Sequence, residues 1–383
     1  MTKPNLLELP QGVQLVYLAE GGANVIYRFV VVGNSALAKK EAKGLVSPAI
    51  NANQSNLPNQ LKGKLLRLRK ETPANLSYKE IVRNFNTIIR PRFDPEELVD
   101  QTLIRLPEGL LSRCNEQLRT AELNDARPKK RHGGYLCLSE PFGLLITDMT
   151  TAGEPGATLA ELKPKWLIQS PSAPATAHRC RTCALREMKN REVLILGLKQ
   201  HQSFCPLDLV SEQFENVLRA TAMIKGCKDR MQLARILYRN PTLQRLQALQ
   251  KIERDVGLQG PAALSGEMSL AMTLRDCTMF IKVSYTENQM IPLGSRFNVS
   301  KKYVVYIRIL TSSPQIPRDE KSPVQIRLGD LDLKTGAGGK AGYWRDLEAQ
   351  LIEEGWYRGS NTSQVPSECA FSSPQRSSPA HSA

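Results

Sequence analysis

Glu161-Leu162-Lys163-Pro164-Lys165 sets one carboxylate beside two ammonium groups at alternating positions. Read as the continuation of a strand through Thr158-Leu159-Ala160, it places Glu161, Lys163 and Lys165 on one face, because strand side chains alternate with period two. Two lysines held side by side repel each other unless an anion lies between them, and a polyphosphate meets that need. Alone, the pentapeptide fits an edge strand whose lysines guard against aggregation. Other clusters shift the balance. Arg275-Asp276-Cys277 lies within the apolar stretch Met272 to Val283, read as a strand, where a buried charge without a partner is costly. Asp330-Leu331-Asp332-Leu333-Lys334 repeats the theme, with both acids facing one way. Separated aspartates on adjacent strands, among lysines and arginines, are what phosphoryl transfer requires. The acids hold Mg²⁺ and orient the attacking hydroxyl, and the bases neutralise phosphate charge. Structural salt bridging is the competing explanation for either aspartate taken singly.

Three further motifs carry possible chemistry. In Ala19-Glu20-Gly21-Gly22-Ala23-Asn24 the absent Cβ atoms would let backbone amides approach phosphates, although a plain hairpin turn explains the glycines equally well. Arg67, in the strand Lys64 to Lys70, could reach nucleotide phosphates as the third-strand lysine of protein kinases does; the alternative is an exposed strand arginine. Arg127-Pro128-Lys129-Lys130-Arg131-His132 fits a nuclear import signal, a nucleic-acid patch, a wall of a polyphosphate site or a solvated loop. Finally, Cys180 and Cys183 form a Cys-x-x-Cys near His178, with Cys205 or His201 available as a fourth zinc ligand. Core cysteines beside phosphate-binding arginines are the preferred reading of that stretch.

The elements that must position these groups divide the 383 residues into two kinds of region. Val13 to Val32 reads as a hairpin around the glycine turn, and 39–63 as a flexible insertion. Ser77 is a candidate N-cap, with Glu80 in capping-box spacing, for a helix over Tyr78 to Ile89. A second helix is expected from Pro95 onward, and a strand over Gly143 to Asp148. Helices are expected from Ser211 to Ile224 and Asp229 to Ile252. Strands follow over Met268 to Tyr285, Tyr303 to Thr311 and Val324 to Leu333, and then a helix from Trp344 that ends at Gly355. The Ser- and Pro-rich residues 358–383 read as a disordered tail. Lys+Arg 52 against Asp+Glu 37 gives a charge of +15, so an anionic partner is expected. Aromatic residues make up only 6%, thin for a surface that stacks single-stranded bases. No apolar run is long enough for a span, the start lacks signal-peptide features, and the scattered cysteines favour reduced thiols.

Taken together the motifs resemble the inositol-pentakisphosphate 2-kinase family, in a fungal form. The matching pieces are AEGGANVIYRF at Ala19, GKLLRLRK at Gly63, RPKKR at Arg127, LLITDMT at Leu144, ELKPK at Glu161, CRTC at Cys180, FCPLDLVS at Phe204, MTLRDCTMFIKV at Met272 and GDLDLK at Gly329. The resemblance implies an α+β, two-lobed, divergent protein-kinase-like fold. A smaller N-lobe would span 1–150, and a larger inositide-binding C-lobe 151–357. It implies transfer of the ATP γ-phosphate to the 2-hydroxyl of inositol 1,3,4,5,6-pentakisphosphate, with Mg²⁺. Under it Gly21, Gly22, Asn24 and Arg67 serve the nucleotide phosphates, Asp148 and Met149 the hinge at adenine, and Glu161 a nucleotide contact. Arg131, Lys163, Lys165, Lys334, Asn240 and Tyr343 would bind inositide, joined by one of Arg181, Arg186 or Lys189. Asp276 would be catalytic and a metal ligand, and Asp330 the second metal carboxylate. The chain is expected to act as a monomer on a small phosphorylated substrate, without a membrane or nucleic acid, in the nucleus or otherwise the cytoplasm. The rival readings are a basic nucleic-acid-binding protein without catalysis, for which no helix-turn-helix, RNP or KH pattern is present, and a pseudokinase, which would lack the metal acids.

Overall fold

The computed structural model describes residues 6–10, 13–31, 57–72, 76–154, 156–254, 256–259, 266–284, 324–335, 340–359 and 368–372. The fold is mixed α+β with two sheets. The first has strand order β1-β5-β6-β4-β3-β2, with β1 Leu7–Glu8, β2 Val13–Glu20, β3 Asn24–Val31, β4 Lys64–Arg69, β5 Gln101–Arg105 and β6 Phe142–Thr147. The expected hairpin is β2–β3. Along β3 every second residue, Val25, Tyr27 and Phe29, enters the core, whereas central β4 buries Leu65, Leu66 and Leu68 on both faces. Ser77 caps α1 (Tyr78–Asn84) through a complete capping box with Glu80, and a π turn Phe85–Ile89 extends it to the expected end.

The helix expected from Pro95 is corrected: Pro95–Glu97 is a single 3₁₀ turn, and the chain then enters β5. The sequence TLIR there is rich in β-formers and pairs with β6, so sheet pairing overrides helix continuation. Of the supposed insertion, residues 39–56 lie outside the described residues, while Leu57 and Leu61 are buried beneath the first sheet. Helix α2 (Leu110–Leu123) packs on the same core.

The second sheet, β7-β8-β9, is antiparallel throughout, with β7 Thr158–Leu162, β8 Thr278–Val283 and β9 Val324–Gly329. Around it lie α3 (Arg181–Ile195), α4 (Phe214–Thr221), α5 (Arg230–Leu237), α6 (Pro241–Ile252), α7 (Gly266–Leu274) and α8 (Lys340–Glu353). Gly355 follows α8 in the left-handed region at φ 73°. The stretch from Met268 corrects a second expectation: its first part is α7 rather than strand. Met268 to Leu274 are all buried, so no polar face marks a helical period. Tyr303 to Thr311 lies outside the described residues. Within 358–383, Glu368–Ser372 packs against the fold, with Cys369 and Ala370 buried. No helix among the described residues is long and apolar enough to cross a membrane.

Candidate active site

The antiparallel register of the second sheet brings three chain segments to one edge. Leu162 at the end of β7 pairs with Met279 near the start of β8, and Thr278 pairs with Gly329 at the end of β9. Residues just beyond those ends therefore meet: Lys163 and Lys165 after β7, Asp276 before β8, Asp330 to Lys334 after β9. Asp276 thus sits in the turn between α7 and β8, not in mid-strand. Strand alternation is not what aligns the lysines, since β7 stops at Leu162 and Lys165 is left-handed at φ 57°. Asp330 is left-handed too, at φ 55°. Two non-glycine residues in this uncommon region, both in one site, show that the surrounding fold dictates their backbone.

Three ammonium groups converge on the Asp276 carboxylate. Lys165 Nζ donates to Oδ1 at 2.7 Å, Lys334 Nζ lies 3.0 Å from Oδ2, and Lys163 Nζ lies 3.3 Å from Oδ1 while donating to the Asp276 carbonyl at 2.9 Å. Lys163 also lies 3.8 Å from Asp330 Oδ2, which accepts a 2.6 Å hydrogen bond from the Thr278 hydroxyl. Burial would push the Asp276 carboxyl up, but Lys334, Lys165 and their hydrogen bonds outweigh it and hold it well below the ordinary carboxylate range. Glu161, on the exposed side of β7, is shifted the other way, raised by burial and by the Asp330 charge against the pull of Lys163.

Asp332 has a different partner. Its two oxygens take both terminal nitrogens of Arg67 on β4, one at 3.1 Å and the other in a very close contact, tying the first sheet to the second. Burial raises the Asp332 carboxyl, and the Arg67 charge more than reverses that. Arg67 also lies over the Tyr78 ring at 5.8 Å, and the Tyr78 hydroxyl donates to Asn24 Oδ1 at 3.2 Å. The alternating acids of Asp330-Leu331-Asp332 are thereby split between the lysine cluster and Arg67.

At the glycine turn, Gly21 N–H donates to the Asn24 carbonyl at 2.9 Å. A Cβ at Gly21 would meet nothing, and one at Gly22 would stand 3.7 Å from the Arg131 guanidinium. Glu20, before the turn, is buried between Lys70 and Arg127, and Lys70 donates to the Gly21 carbonyl at 3.0 Å. Arg127 also pairs with Glu122 and is wholly buried. The basic run is thus divided: Arg127 is a structural ion, Lys129 and Lys130 are exposed, and Arg131 stands half-buried by the turn.

Of the other expected residues, Asp148 accepts from the Thr150 N–H at 2.7 Å and Met149 is buried, both just past β6. Asn240 is the N-cap of α6, accepting from Leu243 N–H at 3.2 Å and donating to the Ile236 carbonyl. Tyr343 is largely exposed on α8. Neither is joined to the Asp276 cluster by a hydrogen bond or ion pair among the described residues. Arg181 is buried against Glu348 at 2.7 Å and stacked between Trp166 and Trp344. Arg186 donates to the carbonyls of Ser203 and Phe204. Both therefore hold the fold, leaving exposed Lys189 of the three. Arg275 is likewise spent on the Ala271 and Gln250 carbonyls, and burial and the nearby Arg181 charge push it down to about 9.

His178 uses its backbone, donating to the Tyr357 carbonyl, and is not among the clustered cysteine sulfurs. Cys180, Cys183 and Cys205 do come together, and the fourth member is Cys369, which spacing alone had not suggested. Glu20, Lys70 and Thr278 were also missed; a carboxylate directly before Gly-Gly was the available signal for the first.

A sequence model described as inositol-pentakisphosphate 2-kinase matches residues 17–350. An inositol-pentakisphosphate 2-kinase of Yarrowia lipolytica is 28% identical over 322 residues, covering 78% of this chain and 87% of that protein. One of Debaryomyces hansenii is 26% identical over 326 residues, covering 70% and 75%.

Proposed function

This chain belongs to the inositol-pentakisphosphate 2-kinase family, and on that footing we propose that the strand-end cluster around Asp276 is its active centre. The reaction moves the γ-phosphoryl group of ATP to the 2-hydroxyl of the pentakisphosphate, giving the hexakisphosphate. The observation that carries the assignment is the convergence of Lys163, Lys165 and Lys334 on one carboxylate at a half-open edge. Three cations about one anion leave positive charge for substrate phosphates, in charge-assisted contacts stronger than neutral hydrogen bonds.

Asp276 orients the attacking hydroxyl. Held ionised by the lysines, it is a hydrogen-bond acceptor first and a weak base. As substrate phosphates draw the lysines' charge, its proton affinity rises toward that of an ordinary carboxylate, when the hydroxyl proton must leave. Asp276 and Asp330 both face the Lys163 ammonium, at 3.3 and 3.8 Å; these two carboxylates would hold Mg²⁺, which would supply neutralisation of phosphate charge. The six-stranded sheet is the smaller lobe and the second sheet with its helices the larger, with nucleotide between. Gly21, Gly22 and Asn24 face its phosphates, Asp148, Met149 and Glu161 its nucleoside, and Arg67 reaches it by releasing Asp332. Arg131, Asn240 and Tyr343 complete the inositide wall. With Arg127 buried, the exposed basic run is short, and a nuclear location rests on Lys129 to Arg131 alone.

The test is incubation of the purified chain with Mg-ATP and inositol 1,3,4,5,6-pentakisphosphate, with products separated by phosphate count. Stoichiometric hexakisphosphate is expected. ATP turnover without a sixth phosphate on the ring would overturn the assignment.

A further inference from the structure

Along α6 the buried residues Leu243, Leu246 and Gln250 recur at i, i+3 and i+7, so an amide stands where the helical period calls for an apolar side chain. Gln250 is fully buried, and a buried amide is costly unless its polar atoms are bonded. Its Oε1 accepts from the Leu167 N–H at 2.9 Å, and its Nε2 donates to the Lys165 carbonyl at 2.8 Å and the Leu274 carbonyl at 2.9 Å. The oxygen faces an N–H and the nitrogen two carbonyls, so only one orientation of the amide fits. The Gln250 main chain takes part too, its carbonyl accepting from Arg275 Nη2 at 2.8 Å. We infer that Gln250 is a positioning residue, which fixes Lys165 against Asp276 from the interior and so sets the geometry of the strand-end cluster. The inference rests on the assignment of that cluster as the active centre.

Lys165 and Asp276 meet at 2.7 Å although they stand 111 residues apart. Lys165 is left-handed at φ 57°, a region disfavoured for a residue with a Cβ, and β7 has already ended at Leu162. Something else must hold it there. The Gln250 amide bonds the carbonyl of Lys165 and the N–H of Leu167, gripping the backbone on both sides of Trp166. The Trp166 ring is held in turn by Arg181 and Arg275, 4.5 and 4.6 Å from its centroid. On the other segment, Leu274 ends α7, so its carbonyl has no partner within the helix. Gln250 supplies a donor to that carbonyl, and Arg275 bonds back to α6, which fixes the turn that carries Asp276. One side chain thus holds the main chain of both segments whose charges meet. Without it the Lys165 backbone is free to leave the left-handed region, and a misplacement of about 1 Å near the chemistry can cost ~10²-fold in rate.

Gln250→Met fills similar space and removes all three side-chain bonds. Per mole of folded protein, kcat should fall at least ~10-fold and affinity for inositol 1,3,4,5,6-pentakisphosphate at least ~5-fold, with ATP affinity unchanged. In a Lys165→Ala background the same change should cost less than ~2-fold in inositide affinity, because the group being positioned is gone. A purely structural residue would instead lower stability and the folded fraction, with equal effects in both backgrounds. Asn115→Leu is the control. Its buried amide bonds the Leu136 N–H and carbonyl at 2.8 and 3.1 Å, beside the first sheet, so its loss should cost stability and leave inositide affinity alone. Should Gln250→Met fail to fold, Gln250→Glu carries the same cycle: it keeps the acceptor for Leu167 and cannot donate to both carbonyls. Equal losses in the two backgrounds, a folded Gln250→Met with normal kcat and affinity, or failure of both variants to fold would overturn the inference. Wild-type inositide affinity in Lys165→Ala alone would overturn the active-centre assignment itself.

Discussion

Two charged clusters, one on each sheet, have opposite characters. At the glycine turn Lys70 and Arg127 face Glu20 and Glu122, two cations for two anions, and Lys70, Arg127 and Glu20 are each 3% exposed or less. At the strand-end edge Lys163, Lys165 and Lys334 face Asp276 and Asp330, three cations for two anions, with the lysines 31–40% exposed. The first is closed and balanced, as desolvated ions must be. The second is open and unbalanced in its close ion pairs, which leaves its lysines available to water or an incoming anion. Charge density in sequence does not separate the two; balance and exposure do.

The sharpest way to break this contrast is at Asp276. Asp276→Asn keeps the shape and removes the charge that three lysines surround. Turnover should fall by at least ~10², as for a group acting mainly in the transition state. Inositide affinity should hold or rise, because the lysines lose their internal competitor. Direct titration alongside kcat checks both; near-normal turnover would remove the catalytic role. Asp332, spent on Arg67, should behave differently from Asp330: extra Mg²⁺ should recover part of the rate in Asp330→Asn and none in Asp332→Asn.

Next in size are the lysines. Lys163→Ala or Lys165→Ala should weaken inositide binding by about 1.5–3 kcal/mol, the range for hydrogen bonds to charged groups. ATP affinity should change little. Calorimetry with each ligand separates the outcomes, and lost ATP affinity with inositide binding intact would reverse the assignment.

Much of this site was legible in the sequence, but through a partly wrong geometry. Glu161-Leu162-Lys163-Pro164-Lys165 suggested a same-face strand; the strand ends first, and what aligns the lysines is the shared edge of three strands. Asp276 looked like a mid-strand residue because α7 is buried all round and shows no amphipathic period. Arg127 could not be told from Lys129 by composition, since only the long-range contact with Glu20 makes it structural. Cys369 carried no pattern at all: its partners are far away in the chain, and its neighbours are the residues of a tail. Local signals such as the Ser77 capping box and the β2–β3 hairpin were read directly, because all their determinants lie within a few residues.

Glu20 tests the closed cluster through pH. Burial raises its carboxyl, but Arg127 and Lys70 lower it from 4.5 to about 2. A group depressed in the folded state contributes stability above its unfolded value, and that contribution fades as pH falls from about 4.5 toward about 2. Glu20→Gln should therefore cost roughly 3 kcal/mol at neutral pH, at about 1.4 kcal/mol per pKa unit, with the deficit narrowing in acid. Denaturant unfolding at neutral pH and near pH ~3 measures it; a deficit that ignores pH would mean that Glu20 acts by packing, not by charge.

The smallest effect is expected at Lys129 and Lys130, which separates dense charge from functional charge most directly. Both are exposed in the 3₁₀ turn that follows Pro128, between buried Arg127 and half-buried Arg131. Exposed lysines gain little from neighbours in high dielectric, and surface changes of this kind usually stay within about 0.5 kcal/mol. The double change Lys129→Ala with Lys130→Ala should leave stability, kcat and inositide affinity near wild type. At low salt it should slow only substrate capture, because removing two cations weakens the long-range field that gathers anions, and added salt should erase the difference. A loss of affinity that persists at high salt would instead place these lysines in direct contact with phosphate, extending the open cluster across to the glycine turn.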